Sequence, residues 1–177
     1  LAGGLGTRIS ELTKTIPKPM VKINKIPIIE RIMNHYSKFG YNEFLLALGY
    51  KKNIIKDHFK KSKYKKWKIN LADTGRLTMT GGRIKRLQKY FSENENFMVT
   101  YGDGLSNVNI KKLIKFHTKN KSEVTLTAVR PKQRYGVIKI KKNRVKFFDN
   151  SKKKTDVYIN GGFFVISSNA VKKIKNK

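Results

Sequence analysis

The stretch LAGGLGTR at residues 1–8, followed by PKPM at residues 17–20, decides the fold of this chain. Two glycines flank Leu5, so the backbone can adopt positive φ and bring its N–H groups close to a polyphosphate. Arg8 and Lys18 add positive charge nearby. Neither standard phosphate fingerprint fits, because GxxxxGK[ST] spacing is absent and the third glycine of GxGxxG would fall on Ile9. A glycine-rich turn alone is more often an ordinary loop, but the Thr-Arg pair and the proline-framed lysine predict a triphosphate-binding loop.

Predicted helices and strands alternate along the chain. Apolar residues at helical spacing predict helices over 28–39, 54–59, 82–91 and 110–117, with a last helix beginning at 170. Apolar runs and alternation predict strands over 44–48, 67–73, 97–101, 124–129, 137–140, 145–148 and 159–166. This order predicts an α/β fold, namely a Rossmann-like, doubly wound mixed sheet with a β-rich excursion late in the chain.

Polar and glycine-bearing segments follow three of the predicted strands directly. They are residues 49–50, 73–74 and 102–104. Substrates bind outside the carboxyl ends of the strands in an open α/β sheet. We therefore expect these three segments to lie at one ligand-binding edge.

Composition limits the function classes. A chain of 177 residues is long enough for about one domain with a real core. The net charge of +30 would suit a nucleic-acid-binding module, but the lysines are spread through the sequence without interleaved aromatics on one face, which favours a solvated surface. Cysteine is absent, which excludes disulfides and thiolate chemistry. No apolar run reaches membrane-span length and no signal-peptide pattern begins the chain, so we expect a cytoplasmic protein with no membrane partner.

Asp103 is the candidate metal ligand. It stands between two glycines at a strand end, where its carboxylate can reach a phosphate-bound Mg²⁺ that keeps most of its waters. The alternative is an ordinary turn aspartate. For Asp73 the sequence favours a structural role and a functional role equally. We expect His35, His58 and His117 to be structural or surface residues, since they lack metal-ligand spacing.

Two further segments carry polar groups. Gly81-Gly82-Arg83 precedes a predicted helix, where free N–H groups and a guanidinium are available together, although an ordinary helix start has the same appearance. Asn160 is by its sequence context more often a turn residue.

The motifs together resemble the sugar-phosphate nucleotidyltransferase family, which joins a nucleoside triphosphate to a sugar 1-phosphate and releases pyrophosphate. The likeness runs through LAGGLGTR, PKPMVKI, Gly49-Tyr50, DTG at 73, MTGGRIKRL from 79, TYGDG from 100, FH at 116, RYG at 134 and INGGFFV from 159. The MTGGR and TYGDG runs are similar to the branch that uses CTP and glucose 1-phosphate.

The resemblance implies CTP and a sugar 1-phosphate as partners, Mg²⁺ as cofactor, and a homo-oligomeric parent protein. It implies catalytic roles for Arg8, Lys18 and Asp103, with Asp103 binding the metal. The nucleotide would be held by Leu1, Ala2, Gly3, Gly4, Gly6, Thr7, Arg8, Lys18, Thr78, Gly81, Gly82, Arg83 and Gly102. The sugar phosphate would be held by Tyr135, Gly136, Asn160 and Gly161. Residues 1–105 would be mainly nucleotide-binding and residues 124–166 mainly sugar-phosphate-binding, within a single domain over 1–177.

One departure from the family pattern leaves an alternative open. Where the family has Glu-Lys-Pro after the strand ending at Phe148, this chain has Asn150 and Ser151. A non-catalytic nucleotide-sugar-binding domain, or use of another nucleotide or sugar phosphate, is therefore the second hypothesis; a basic nucleic-acid-binding module is the third.

The two ends of the sequence lead to a separate expectation about whether the chain is a fragment. A phosphate loop of this type should leave a buried strand in the middle of the sheet. We expect a fragment truncated at both ends, which lacks that strand and a later segment with a second metal carboxylate, and which does not turn over alone.

Overall fold

The computed structural model describes residues 1–6, 14–60, 64–131, 137–149 and 157–175. Its regular elements are β1 Lys22–Ile23, β2 Ile26–Pro27, α1 Ile28–Ser37, β3 Glu43–Leu48, α2 Lys52–Phe59, β4 Lys68–Asp73, α3 Thr80–Arg86, β5 Asn96–Thr100, α4 Ile110–Lys119, β6 Val124–Val129, β7 Val137–Lys141, β8 Arg144–Asp149, β9 Ile159–Ser167 and α5 Ser168–Lys172. Short 3₁₀ turns occupy Lys18–Met20 and Gln88–Tyr90.

The strands form a parallel part and an antiparallel part. β3 pairs with β4 in parallel, with Leu46 opposite Leu71. β9 lies between β5 and β6 and is antiparallel to both. β7 and β8 form an antiparallel hairpin, and β1 and β2 form a very short one. The predicted mixed α/β fold is confirmed, and its antiparallel share is large.

The first two residues join these two parts. Ala2 forms a parallel bridge with Leu48, and its N–H donates to the carbonyl of Ala47 at 2.9 Å. The carbonyl of Leu1 accepts from the N–H of Gly102, just after β5, at 2.8 Å. The LAGG segment therefore lies between the carboxyl ends of β3 and β5.

The helices follow from their apolar spacing. In α1, Ile29, Ile32, Met33 and Tyr36 are buried on one face, and the helix ends before Gly40, whose φ is 93°. The predicted helix over 82–91 is shorter in the structure. The Leu87 N–H is shared between the carbonyls of Arg83 and Ile84, and this tightening into a 3₁₀ turn ends α3 at Arg86.

The core has two main clusters, one on each side of α1. Met33 and Leu48 pack with residues of α2 and with Trp67. On the other side, Tyr36 stacks on Phe163 of β9, with ring centroids 6.0 Å apart, and α4 closes that cluster. None of the described helices is long and apolar enough to span a membrane.

Candidate active site

The three segments expected at the ligand-binding edge lie where β3, β4 and β5 end, and backbone hydrogen bonds connect them. The N–H of Tyr50, which follows β3, donates to the carbonyl of Gly3 at 3.2 Å. The N–H of Thr74, which follows β4, donates to the carbonyl of Leu48 at 2.8 Å. With Gly102 bonded to Leu1, the ends of β3 and β5 both bond to the first residues of the chain, and the end of β4 bonds to the end of β3.

Gly3 must be a glycine because of a close approach. A Cβ there would lie 2.2 Å from Nη1 of Arg83 and 2.9 Å from the backbone nitrogen of Gly49. Gly4 faces open space, since a Cβ there would meet no atom within 4 Å among the described residues. The loop therefore packs against the protein at Gly3 and is open at Gly4. A phosphate-binding loop needs both a fixed backbone and an open face.

The side chain of Arg83 holds this loop in place through hydrogen bonds. Its guanidinium donates to the carbonyls of Gly3 at 2.8 Å, Gly75 at 2.7 Å, Leu48 at 3.2 Å and Arg76 at 3.2 Å, and to Oγ1 of Thr74 at 2.7 Å. Burial, followed by the charge of Arg86, lowers the pKa of Arg83 from its usual value. Arg83, for which the family resemblance implies a nucleotide-binding role, therefore ties the glycine loop to the ends of β3 and β4.

Lys18 and Asp103 meet at the same edge. Lys18 begins a 3₁₀ turn whose framing residues, Pro17 and Pro19, are buried, so the turn cannot shift freely. Its ammonium forms an ion pair with the Asp103 carboxylate, and the two side chains are 25% and 32% exposed. The position before Asp103 requires a glycine, because a Cβ on Gly102 would lie 2.7 Å from the carbonyl oxygen of Leu1. A cation and a carboxylate are thus fixed beside the glycine loop.

Asp103 is suited to bind a Mg²⁺ ion whose other ligands are waters and substrate phosphates. Within the described ranges no three His, Cys, Asp or Glu side chains come together as a ready metal cluster. Mg²⁺ does not need such a cluster, because one carboxylate, waters and substrate phosphates satisfy it. The partly exposed carboxylate of Asp103 meets that requirement, and it forms an ion pair with Lys18.

Asp73 has a structural environment. Its carboxylate pairs with Lys52 at 2.6 Å and accepts from the N–H of Gly75 at 3.0 Å. These contacts, that of Lys52 first, lower the pKa of Asp73. They close the turn that follows β4.

The segment before α3 lies over the same turn. Thr78 is close enough to Gly75 that a Cβ on that glycine would lie 2.7 Å from the threonine Oγ1. A Cβ on Gly82 would lie 2.9 Å from the methyl group of Thr78, whereas Gly81 is in ordinary contact distance of Ile174. Leu77 and Met79, on either side of Thr78, are 77% and 79% exposed. Thr78 and Arg83 are therefore brought together at the end of β4.

Asn160 and Gly161 lie near the candidate site, because Asn160 is hydrogen-bonded to Tyr101. Nδ2 of Asn160 donates to the Tyr101 hydroxyl at 3.2 Å, and its Oδ1 accepts from the N–H of Gly162 at 2.7 Å. The Tyr101 N–H donates to the Gly162 carbonyl at 3.3 Å. Gly161 is required because β6 is close, with Oγ1 of Thr127 only 2.7 Å from the position of a Cβ. The start of β9 therefore lies beside the Gly102-Asp103 turn.

Several predicted residues lie outside the described ranges. They are Thr7 and Arg8 of the loop, Tyr135 and Gly136 of the sugar segment, and Asn150 and Ser151 at the departure from the family pattern. The three histidines lie inside those ranges and each contacts a protein group: His35 the carbonyl of Val108, His58 the carboxylate of Glu30, and His117 the hydroxyl of Thr125.

The sequence places Tyr50 and Thr74 at the ligand-binding edge without giving either a role, and it does not single out Tyr101. Thr74 is 1% exposed, and its hydroxyl donates to the carbonyl of Leu48 while it accepts from Arg83. Tyr101 links β9 to β5. Tyr50 has the guanidinium of Arg76 5.6 Å from its ring centroid. The sequence signal for Tyr50 and Thr74 was their position after predicted strands, and Tyr101 ends the predicted strand over 97–101.

Comparison with known proteins agrees with this geometry. Residues 1–177 match the family described as Nucleotidyl transferase. The chain is 39% identical to a glucose-1-phosphate cytidylyltransferase of Salmonella typhimurium, over 99% of the chain and 77% of the relative. It is 38% identical to a probable glucose-1-phosphate cytidylyltransferase of Bacillus subtilis, over 94% of the chain and 73% of the relative. The crystal structure of HddC from Yersinia pseudotuberculosis superposes with a TM-score of 0.75 at 28% identity, covering 99% of this chain and 78% of that one. A loop of glycines at the strand ends, a lysine and a carboxylate beside it, and a match along the whole sequence lead to one conclusion: the chain belongs to the nucleotidyl transferase family.

Proposed function

We propose that this protein transfers the cytidylyl group of CTP to glucose 1-phosphate, with release of pyrophosphate and formation of CDP-glucose. The observation that carries the proposal is the Lys18–Asp103 pair beside the open face of the glycine loop. The choice of CTP and glucose 1-phosphate is supported by the two relatives named for that reaction.

The reaction requires two anions to approach each other. A phosphate oxygen of the sugar phosphate attacks the α-phosphorus of CTP, the new P–O bond forms, and the bond to pyrophosphate breaks on the opposite side. Catalysis then consists of alignment and charge neutralisation, and no protein nucleophile is needed. This matches a site built of backbone N–H groups, one lysine and one carboxylate.

We assign the residues as follows. The N–H groups of the glycine loop cradle the triphosphate, and the ammonium of Lys18 lies against the α-phosphate, where charge increases in the transition state. The carboxylate of Asp103 holds Mg²⁺, which would neutralise the phosphate oxygens when bound. Arg8, outside the described residues, is assigned to the departing pyrophosphate.

The sugar phosphate is assigned to the side of the site formed by β9. The amide of Asn160 and the backbone at Gly161 lie next to Tyr101 and the Gly102-Asp103 turn, so a sugar there would lie close to Asp103. Tyr135 and Gly136 complete this assignment. We place the activity in the cytoplasm, where CTP is available, as a step in the supply of activated sugars for polysaccharides or deoxysugars.

A nucleotide panel tests the proposal. With Mg²⁺ and without it, the thermal shift of the protein is measured with CTP, UTP, dTTP, GTP and ATP, and pyrophosphate release is measured with glucose 1-phosphate added. We expect the largest Mg²⁺-dependent shift with CTP. Equal shifts with all five triphosphates would contradict the choice of CTP, and CTP binding without pyrophosphate release from any sugar 1-phosphate would favour a non-catalytic binding domain.

A further inference from the structure

The outer face of α4 is strongly basic. It carries four exposed lysines, which are Lys111, Lys112, Lys115 and Lys119. The opposite face of the helix is buried and includes Ile110, Leu113 and His117. No aspartate or glutamate occurs between Asp103 and Glu123, so the helix carries no negative side chain. We call the four lysines, together with Phe116, the α4 face.

The lysines of the α4 face lack the partners that exposed lysines have elsewhere in the fold. Examples of paired lysines are Lys60–Asp57, Lys172–Glu93 and Lys173–Glu123. Within the described ranges, no ion pair or side-chain hydrogen bond engages any of the four ammonium groups on α4. Like charges four residues apart on a helix repel each other, and an anionic partner would relieve that repulsion.

Phe116 lies among these lysines and is 59% exposed. Lys112 precedes it by four residues and Lys119 follows it by three, so the helical repeat places both beside the ring. The α4 face is therefore an exception to the expectation that the lysines have no aromatic residue interleaved on one face. An apolar ring surrounded by cations is suited to a partner that is both apolar and anionic.

The shape of the α4 face favours a lipid surface over a nucleic acid. Single-stranded nucleic acids are bound in basic grooves where several aromatic rings stack on successive bases. α4 is a convex helix with one exposed aromatic ring, and it lines neither the apolar cavity between β3 and β5 nor the cavity beside α1. A flat membrane offers anionic headgroups to the lysines and acyl chains to the ring at the same time.

We propose that the α4 face is a peripheral membrane-binding surface, whose lysines contact anionic lipid headgroups while Phe116 inserts between the lipids. The expectation that the protein has no membrane partner rests on the lack of a membrane-spanning run, which a peripheral surface does not need. The proposal is independent of the reaction proposed above.

Vesicle binding tests the role of charge. Sedimentation is measured with vesicles of phosphatidylcholine, with and without phosphatidylglycerol. We expect binding to the anionic vesicles alone, and weaker binding as the salt concentration is raised. Combined Lys112→Gln, Lys115→Gln and Lys119→Gln substitutions should lower the affinity by about 100-fold or more, since each lysine near an anionic surface contributes about fivefold.

A second triple variant is the matched control for net charge. Lys60→Gln, Lys172→Gln and Lys173→Gln remove the same three charges from exposed lysines that are already paired. Their combined loss of affinity should stay below about fivefold, because the effect of a charge on binding falls off within a Debye length of the membrane. Both variants change exposed side chains and should keep the Tm of the parent protein.

The insertion of Phe116 is tested separately. Phe116→Ser should weaken binding to anionic vesicles by about tenfold, whereas Val145→Ser should change it by less than about twofold. Val145 is equally exposed, at 59%, but lies on the β7–β8 hairpin. In Phe116→Trp, fluorescence should be quenched by lipids with brominated acyl chains. The parent protein is the control, since Trp67, its single tryptophan, is buried.

Three results would overturn the proposal. Equal losses of affinity in the two triple variants would show attraction by total charge and no role for the α4 face. Unchanged vesicle binding in Phe116→Ser, or no quenching in Phe116→Trp, would show that the ring does not enter the membrane. Binding of polyuridylate that depends on Phe116, with vesicle binding that does not, would assign the α4 face to single-stranded nucleic acid.

Discussion

Arg83 is the residue through which the glycine loop is fixed to the sheet. Five oxygens accept from its guanidinium, and all belong to the loop or to the ends of β3 and β4. Removal of the guanidinium leaves buried carbonyls without donors, which is more costly than the loss of a solvent-exposed contact. The loop geometry thus depends on a side chain remote from it in sequence.

We expect Arg83→Met to destabilise the fold by about 2–4 kcal/mol, because several buried acceptors lose a charged donor at once. The free energy of unfolding in urea measures this. Arg86→Met is the matched control, since Arg86 is exposed and donates to the carbonyl of Thr74 at 2.8 Å from the solvent side. Its expected cost is below about 1 kcal/mol. Similar costs for the two variants would contradict the supporting role of Arg83.

Lys18 and Asp103 should affect turnover through different steps. Lys18→Ala is expected to lower kcat by about 100-fold or more, because its charge acts on the transition state. Asp103→Asn should raise the Mg²⁺ concentration needed for half-maximal rate, so that high Mg²⁺ partly restores activity. Initial rates of pyrophosphate release over a Mg²⁺ titration separate these effects.

The Lys52–Asp73 pair provides the control for this experiment. It also joins a lysine to an aspartate at a strand end, at 2.6 Å, but lies on the turn after β4. Lys52→Ala and Asp73→Asn should leave both kcat and the Mg²⁺ requirement nearly unchanged. A defect in Asp103→Asn that ignores Mg²⁺ concentration would indicate a structural role for Asp103.

At the scale of elements, His117 joins α4 to the antiparallel part of the fold. Its ring is 2% exposed, with Nδ1 2.9 Å from Oγ1 of Thr125 in β6 and Nε2 3.3 Å from Oδ1 of Asn96 in β5. Burial lowers the pKa of His117 below 6.5, and both partners are neutral, so the folded protein holds the ring uncharged.

The lowered pKa of His117 predicts how the stability of the protein depends on pH. Below pH 6.5 the unfolded chain binds a proton at His117 and the folded chain does not until a lower pH, so stability falls as the pH is lowered from 6.5 through the folded pKa. Urea unfolding at pH 7.5 and pH 5.5 should show a larger loss for the parent protein than for His117→Gln. Identical losses in the two proteins would rule out His117 as the cause.

At the scale of the whole molecule, the candidate active site combines residues of the parallel part and of the antiparallel part of the fold. The first residues of the chain bond to the end of β3, to Arg83 of α3 and to Gly102 after β5, and β9 adds Asn160 through Tyr101. Among the described residues Arg83 is buried, and the other lysines and arginines with assigned exposure are exposed or half-buried. Exposed pairs such as Lys172–Glu93 and Lys173–Glu123 join elements at the periphery, where ion pairs contribute little to stability.

Sequence patterns determined most of the elements. The apolar run over 44–48 and the helical spacing over 110–117 identify β3 and α4 within two residues at each end, because burial period and propensity act locally. Segments 49–50, 73–74 and 102–104 were predicted to meet at one edge for a similar reason, since each directly follows a predicted strand. The early end of α3 escaped prediction, because it depends on the shared hydrogen bond of Leu87.

Only the tertiary structure decided what those motif residues contact. Arg83 reads in the sequence as a free cation before a helix, yet the fold buries it beneath Gly3, 80 residues away. Asn160 reads as a turn residue, yet Tyr101 brings it to the Gly102-Asp103 turn. The antiparallel position of β9 between β5 and β6 is equally absent from any local pattern. The physical reason is the same in each case: a sequence records which groups need partners, whereas the identity of the partner is set by long-range packing of strands that only the complete fold brings together.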